Sequence, residues 1–183
     1  MMIYNTKRPA FRMKSPVNKP YCSRNYDNIN FELLKKLEPG LKEVLNLCPL
    51  RNTKKRILVK TRTETIRAGR CSCLPGWHLD APINPVHNRG YNIYHMFIIG
   101  PTTVFLNEAK VIYNHNHDQR LAKFSIKDDT EEYNLVEGCW NTYGEHDWHR
   151  GIVVKDNTPR LLVRVTETNY IKENINYARS VSR

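Results

Sequence analysis

The sequence contains no apolar run near the roughly 20 residues that a membrane-spanning helix requires. It begins MMIYNTKRPAFRMK, which lacks the apolar core of a secretory signal. No internal repeat or low-complexity tract is visible. These absences favour a cytoplasmic protein without a membrane segment. Its 183 residues, 40% of them hydrophobic, are enough for one core and too few for two comfortable domains.

Cysteine is sparse and odd in number, with five residues in the chain. An odd count without an export signal favours reduced thiols in the cytosol. Cys71 and Cys73 form a C-x-C pair, but a zinc site would need two further ligands and the sequence has no second pair. A cysteine-based metal centre is therefore a weak interpretation.

Positive charge is concentrated in the first part of the chain. Residues 1–70 contain 17 Lys and Arg against 5 Asp and Glu, whereas residues 71–183 contain 12 against 13. A basic segment fits nucleic acid or another polyanion as a partner, and it fits solubility with a lysine-rich coding bias equally well. Residues 1–26 hold three prolines among basic and aromatic residues, which predicts a basic extended arm before a single domain at 27–183.

The hydrophobic pattern changes from helical to strand-like near residue 56. A helix is predicted over about 29–38, capped by Asp27 or Asn28, with a second short helix over about 41–47. Strands are predicted at 57–62, 92–99, 102–106, 109–113, 133–143, 149–154 and 160–168. Two short helices followed by many strands predict an α+β chain, mainly β, with a sandwich or barrel core.

Three polar residues in the strand-rich part can meet at one ion. His78 and Asp80 lie two apart in PGWHLDAP, and residues two apart on an extended chain point to the same face. His149 follows in EHDWHRG. Two histidines and one carboxylate on one face of a metal leave three positions open, as in non-haem Fe(II) oxygenases. Arg160 starts the next strand, where its guanidinium can clamp the far carboxylate of a co-substrate.

This pattern resembles the 2-oxoglutarate/Fe(II)-dependent dioxygenase superfamily over about residues 57–168. The resemblance rests on the H-x-D at His78 and Asp80, the HR pair at His149, and Arg160. The spacing is similar to that of compact members such as the nucleic-acid alkylation-repair dioxygenases. The resemblance implies a double-stranded β-helix (jelly-roll, cupin-like) core with Fe(II) on the two histidines and the aspartate, which would be the catalytic residues. It also implies oxidation of a substrate C–H bond while 2-oxoglutarate is decarboxylated to succinate.

Several residues compete for contact with the co-substrate. Arg164 shares the Arg160 face by the two-residue period, so either arginine can hold the far carboxylate, or both can belong to a polar face exposed to water. Where the family usually has a small residue two positions after its arginine, this chain has Leu162. Tyr94 and Tyr143 lie on predicted strands and can donate hydroxyls to 2-oxoglutarate, or serve as ordinary strand aromatics.

The remaining histidines are weaker ligand candidates. His146 is a rival for the distal position, three residues before the favoured one. His95, in YHMFIIG, is expected to be a core residue bonded to a neighbour, or else to line the pocket. His115 and His117 form an H-x-H that suits zinc or a cupin-type metal, although the surrounding Asn and Asp favour a loop. His87 is expected on a loop surface.

The favoured function is that of an Fe(II)- and 2-oxoglutarate-dependent oxygenase that uses O₂ to hydroxylate or demethylate an unidentified substrate. The basic segment points to nucleic acid or a nucleotide as that substrate. The alternative is a cupin-like binding module without metal, which grips a phosphorylated small molecule or nucleic acid through Arg160, Arg164 and the basic arm. A third hypothesis is a cupin-type metal-dependent isomerase or dioxygenase that does not use 2-oxoglutarate.

Overall fold

The structure is a computed structural model that describes residues 20–78, 80, 92–106, 131–144 and 147–169, together with the backbone of three short strands at 3–5, 12–13 and 110–112. Its strands are β1 (Ile3–Asn5), β2 (Arg12–Met13), β3 (Tyr26–Asn30), β4 (Arg56–Ile66), β5 (Ile93–Ile99), β6 (Thr103–Leu106), β7 (Lys110–Ile112), β8 (Glu132–Asn134), β9 (Trp140–Gly144), β10 (His149–Gly151) and β11 (Thr158–Thr168). Its helices are α1 (Phe31–Leu37) and α2 (Lys42–Asn46), joined by a 3-10 turn at Pro39–Leu41. The prediction of a mainly β chain of the α+β class is confirmed.

Within the described residues, the strand pairs are all antiparallel and form three sheets. A six-stranded sheet has the order β2-β9-β5-β11-β4-β3, a three-stranded sheet the order β10-β6-β8, and β1 pairs with β7. A backbone bridge between His78 and His149 adds the chain at residue 78 to the free edge of β10. In the part of the chain that the structure describes, no helix is long and apolar enough to cross a membrane.

Four of these pairings are nested along the chain. β4 pairs with β11, His78 with His149 of β10, β5 with β9, and β6 with β8. Each pairing lies inside the segment that the previous one closes, as in one long hairpin made of eight segments. The pairings β11·β5 and β10·β6 then fold this hairpin into two sheets.

One face of the six-stranded sheet packs against the two helices. Val163 and Val165 of β11 lie there in a buried cluster with residues of α1 and α2 such as Leu34. The fully buried Trp140 donates its indole N–H to the Val44 carbonyl oxygen at 3.0 Å, which ties β9 to α2. Helices of seven and five residues are too short to be stable alone, so this packing is what holds them.

The other face of the six-stranded sheet carries the predicted site residues of β11. Side chains alternate along a strand, so Arg160, Leu162 and Arg164 point away from the helices. Leu162 belongs to a second buried cluster with Phe105 of β6 and Tyr143 of β9. This face therefore forms a mixed apolar and charged interior, which the three-stranded sheet helps to line.

The first helix begins later than predicted. Asn30, and not Asp27 or Asn28, is its N-cap, because the Asn30 side chain accepts a hydrogen bond from the Leu33 N–H at 3.1 Å. The residues before it are extended and belong to β3, which pairs with β4. The prediction was wrong because Asp27, Asn28 and Asn30 all offer capping side chains, and the pairing of β3 with β4 decides among them.

The single strand predicted over 133–143 is two strands. β8 ends at Asn134 and β9 begins at Trp140, with a turn at 137–138 between them. Gly138 has a φ of 70°, a left-handed conformation that glycine adopts without a Cβ penalty, and its N–H donates to the Ile98 carbonyl oxygen at 2.7 Å. Apolar residues on both sides of this turn gave the appearance of one continuous strand.

A fully buried pair of ionisable groups connects β5 to β11. His95 Nε2 lies 2.8 Å from Glu167 Oε1, and His95 Nδ1 lies 2.8 Å from Thr142 Oγ1. Glu167 also accepts the Arg51 backbone N–H at 2.7 Å. His95 is therefore a core residue bonded to its neighbours, one of the two roles that the sequence suggested.

We expect acid to weaken the fold through this pair. Burial lowers the pKa of His95 below its ordinary value of 6.5. Burial alone would raise the pKa of Glu167, but hydrogen bonds from Arg51 and His95 outweigh it and lower that pKa below 4.5. Because both shifts make the unfolded chain bind more protons, their stabilisation is complete above about pH 6.5 and is lost as the pH falls, first through His95 and then through Glu167.

Urea unfolding at about pH 7, 6 and 5 measures this effect as a falling free energy of unfolding. His95→Gln keeps a hydrogen-bonding group against Glu167 but does not titrate. In this variant the free energy of unfolding should decline less between pH 7 and pH 6. An equal decline in the variant and the natural chain would refute the role of His95.

Candidate functional site

The two predicted histidine ligands lie side by side because their backbones are paired. The His78 N–H donates to the His149 carbonyl oxygen at 2.9 Å, and the His149 N–H donates to the His78 carbonyl oxygen at 3.1 Å. Directly opposed residues of an antiparallel pair share a face, and the two ring centroids are 4.3 Å apart. The fold thus joins two imidazoles that are far apart in sequence.

Each imidazole is oriented by a backbone carbonyl two residues before it. Nδ1 of His78 lies 2.8 Å from the Gly76 oxygen, and Nδ1 of His149 lies 2.9 Å from the Asp147 oxygen. A carbonyl oxygen can only accept, so each Nδ1 carries a proton and each Nε2 keeps a lone pair while the ring is neutral. Burial lowers the pKa of His149, which favours the neutral ring. Metal-binding histidines are typically held in this way.

Asp80 is a largely buried carboxylate beside His149. Its Oδ2 lies 3.8 Å from His149 Nε2 and accepts the Tyr143 hydroxyl at 2.5 Å. Its Oδ1 accepts a guanidinium N–H of Arg164 at 2.5 Å. Burial alone would raise the pKa of Asp80, but the charge of Arg164, the nearby His149 and these hydrogen bonds outweigh it and lower that pKa. Asp80 is therefore an anion at neutral pH.

The structure brings His78, Asp80 and His149 together without arranging them as a finished metal site. Among the described residues, no group of three or more His, Cys, Asp and Glu side chains has metal-site geometry. Both oxygens of Asp80 are engaged by Arg164 and Tyr143. The donor set itself fits a divalent transition metal, because it combines two Nε2 lone pairs with a carboxylate whose oxygens each have a second lone pair.

Arg164 lies between Asp80 and an aromatic ring. Its guanidinium carbon is 5.5 Å from the centre of the Tyr94 ring, in addition to its bond with Asp80. Burial alone would lower the pKa of Arg164, but the charge of Asp80 leads the opposing effects and raises it. Its Nε is buried without a hydrogen-bond partner among the described residues. Of the two predicted arginines, Arg164 is the one that contacts a candidate ligand.

Arg160 has different partners on the same strand face. Its guanidinium donates to the Ser72 carbonyl oxygen and lies 3.4 Å from Glu64 Oε1. Only 5% of the residue is exposed, and burial lowers its pKa. Its Nε also has no hydrogen-bond partner within the described part of the chain. Arg160 is thus a buried cation whose hydrogen-bonding capacity is incompletely used.

Tyr143 connects the carboxylate of Asp80 to a wall of aromatic rings. Its ring stacks on Tyr94 at 5.1 Å and meets Phe105 and His149 edge-on at 5.1 and 5.6 Å. Burial and the charge of Asp80 raise the pKa of Tyr143, so it remains a hydroxyl donor. The sequence suggested this hydroxyl as a donor to a co-substrate. Its bond to Asp80 was not predicted, because strand spacing does not specify a side-chain rotamer.

If a divalent metal binds at Asp80, Tyr143→Phe should weaken that binding by about 10-fold, since losing a group that orients a ligand costs about 10–100-fold in affinity. Tyr94→Phe is the matched control, because it removes a hydroxyl from the stacked neighbour. Isothermal titration with Mn(II) under nitrogen compares the two variants. Similar losses in both would mean that the bond from Tyr143 to Asp80 does not support metal binding.

Four of the weaker histidine candidates lie outside the described residues. These are the rival distal ligand His146, the H-x-H pair His115 and His117, and His87. Their predicted roles remain predictions.

Comparisons with known proteins do not assign a family. A scan of protein-family models and a search of curated proteins find no match. Among solved structures, the chain is similar to the crystal structure of EvdO2 from Micromonospora carbonacea var. aurantiaca, with 15% sequence identity and a TM-score of 0.45. The similarity covers 75% of this chain and 62% of that chain, so this chain spans about three-fifths of the other's length.

Proposed function

We propose that this protein is an Fe(II)- and 2-oxoglutarate-dependent oxygenase built on a double-stranded β-helix. The observation that carries the proposal is the His78–His149 pair, whose Nδ1 atoms are both bonded to backbone carbonyls and whose Nε2 atoms are left for a metal beside Asp80.

The nested pairings support this fold. A jelly roll of this kind is a long hairpin of eight segments rolled into two facing sheets. β4, the chain at residue 78, β5, β6, β8, β9, β10 and β11 supply eight such segments in order. In the family that the sequence resembles, the H-x-D follows the second segment, the distal histidine lies on the seventh and the arginine is at the start of the eighth. Under this assignment, His78, Asp80, His149 and Arg160 would take the corresponding positions in this chain.

His78, Asp80 and His149 would hold the Fe(II), which supplies the redox chemistry when it is bound. The contribution of the chain is to set the protonation of these donors. Burial keeps His149 neutral, and the charge of Arg164 keeps Asp80 ionised. Arg164 and Tyr143 also fix the orientation of the carboxylate, and the rings around Tyr143 exclude water from it.

We assign the far carboxylate of 2-oxoglutarate to Arg160. Arg164 already neutralises Asp80, and removing it from that carboxylate would leave a buried charge unpaired. Arg160 lies on the same face of β11 and has a buried Nε without a partner among the described residues. Tyr94, whose ring faces the Arg164 guanidinium, is the aromatic residue assigned to line the co-substrate pocket.

A binding module without metal is the second candidate. The engagement of both Asp80 oxygens by Arg164 and Tyr143 favours it, because an arginine then takes the place of a metal as the counter-charge. In this case Arg160 and Arg164 would grip a phosphorylated small molecule or nucleic acid.

Anaerobic titration with Fe(II) and 2-oxoglutarate distinguishes the two candidates. An oxygenase should take up about one Fe(II) per chain, develop a weak visible band with the co-substrate, and release succinate slowly in air without a primary substrate. Protein that takes up no iron would contradict the proposal and favour the binding module. Iron uptake without succinate would favour a cupin-type enzyme that does not use 2-oxoglutarate.

Arg160→Gln tests the co-substrate contact in the same assay. The 2-oxoglutarate concentration for half-maximal succinate release should rise about 10-fold or more, since hydrogen bonds to charged groups contribute about 1.5–3 kcal/mol. Arg67→Gln, which changes an exposed arginine, should leave that concentration unchanged.

A further inference from the structure

A row of basic side chains runs along β4 beside the site. Arg56, Lys60 and Arg62 are separated by even numbers of positions, with Leu58 between the first two on the same side, and therefore share a face. The register between β4 and β11 puts Lys60 directly opposite Arg164. Directly opposed residues of paired strands point to the same side, so this basic row lies on the face of the sheet that carries Arg164 and Asp80.

The charged ends of the basic row are accessible to solvent. Arg56 is exposed, and the side chains of Lys60 and Arg62 are 34% and 26% exposed. Arg164, at the inner side of the row, is 23% exposed. The row therefore extends from a contact of Asp80 to the surface of the sheet.

Positive charge exceeds negative charge along this row, whose one acidic residue on the strand, Glu64, follows Arg62 on the same face and lies 3.4 Å from the Arg160 guanidinium. Lys60 and Arg62 share one carboxylate, that of Asp27, at distances of 3.8 and 2.5 Å. Asp27 itself is 64% exposed, so water screens its charge. Burial and the neighbouring charges of Arg164 and Arg62 lower the pKa of Lys60. Like charges on directly opposed strand positions disfavour folding, and an anion bound over them would relieve that repulsion.

We infer that the basic row binds the phosphate backbone of a single-stranded nucleic acid and leads one base towards His78, Asp80 and His149. Lys60 and Arg62 are about 7 Å apart along the strand and Arg56 is about 13 Å from Lys60, so the row fits an extended chain of charges better than one small anion. Guanidinium groups also suit phosphate oxygens. The role of the base rests on the proposed function, whereas the phosphate contacts do not.

The recessed position of the site favours a single strand over a duplex. His149 is 3% exposed and the Asp80 side chain 13%, so a reacting group must extend inward to reach them. A base within a duplex is held in its stack, whereas a base of a single strand is free to turn inward.

Fluorescence anisotropy with a labelled 12-nucleotide single-stranded DNA of mixed sequence tests the inference on the full, metal-free chain. The variant R56Q/K60Q removes two charges from the row. The control K36Q/K42Q removes two charges from exposed residues of α1 and α2, on the other side of the sheet. We expect about 10-fold weaker binding and a salt slope reduced by about 1.4 for R56Q/K60Q, and less than about a 2-fold change for the control.

A second variant tests whether misfolding explains the loss of binding. R56K/K60R keeps both charges and should bind within about 3-fold of the natural chain. Equal losses in R56Q/K60Q and K36Q/K42Q would overturn the inference, because net charge alone would then explain binding. Duplex DNA or poly-glutamate that binds as tightly as the single strand would also overturn it.

The proposed function can fail separately from this inference. If no succinate is released but R56Q/K60Q selectively loses DNA binding, the oxygenase is refuted and the phosphate contacts are retained. If succinate is released normally but R56Q/K60Q does not selectively lose DNA binding, only the phosphate contacts are refuted.

Discussion

Replacing His78 with alanine should lower Fe(II) affinity by at least about 100-fold and abolish succinate release, because a lost ligand costs more than the roughly 10–100-fold lost with an outer-shell partner. The hydrogen bonds between His78 and His149 are formed by backbone atoms, which alanine retains. The removed ring is only partly buried, so the fold should persist. The loss would then report on metal binding and not on unfolding.

Anaerobic isothermal titration with Fe(II) measures this loss, and thermal unfolding checks that the variant is folded. Cys71→Ala is a matched control, because Cys71 also forms an isolated backbone bridge, to Val153, and lies in the same loop. It should bind Fe(II) as the natural chain does. Undiminished affinity in His78→Ala would remove His78 from the set of ligands.

Arg164→Leu should lower the free energy of unfolding of the metal-free protein by about 3 kcal/mol, because breaking a buried ion pair leaves an uncompensated charge. Asp80 would keep its hydrogen bond from Tyr143 and its proximity to His149 but would lose the cation bonded to it. The lower end of the usual 3–5 kcal/mol range applies, since part of the Arg164 side chain reaches water.

A double-mutant cycle separates this pair from general packing. Asp80→Asn combined with Arg164→Leu removes both charges and should recover most of the loss, with a coupling energy of about 2 kcal/mol. Arg150→Leu breaks an exposed pair with Glu132 by the same type of substitution and should cost less than about 1 kcal/mol. Urea unfolding measures all of these proteins. Strictly additive losses at Asp80 and Arg164 would contradict the pairing.

Local spacing was sufficient to predict which residues share a face. Residues two apart on a strand point the same way, so the sequence alone aligned Arg160 with Arg164. Spacing could not assign their partners. The bond of Arg164 to Asp80 and that of Arg160 to Ser72 depend on where distant segments meet and on which rotamers fit there. The same limit explains why the bond from Tyr143 to Asp80 was not foreseen.

The errors in the predicted elements have a similar origin. The choice of Asn30 as the cap of α1 follows from the pairing of β3 with β4, a contact between residues about thirty positions apart. The turn at Gly138 interrupts a run of strand-forming residues, and its N–H reaches Ile98 of a different strand. Sequence patterns report local preference, whereas these features are decided by non-local pairing.

The most direct test of whether His78, Asp80 and His149 bind one metal ion is a crystal structure from crystals grown without oxygen in the presence of Mn(II) and 2-oxoglutarate. We expect one ion bonded to Nε2 of His78, Nε2 of His149 and an oxygen of Asp80, with the co-substrate on its open side. An ion bound elsewhere, or imidazoles without metal beside an Asp80 still closed by Arg164 and Tyr143, would contradict the assignment.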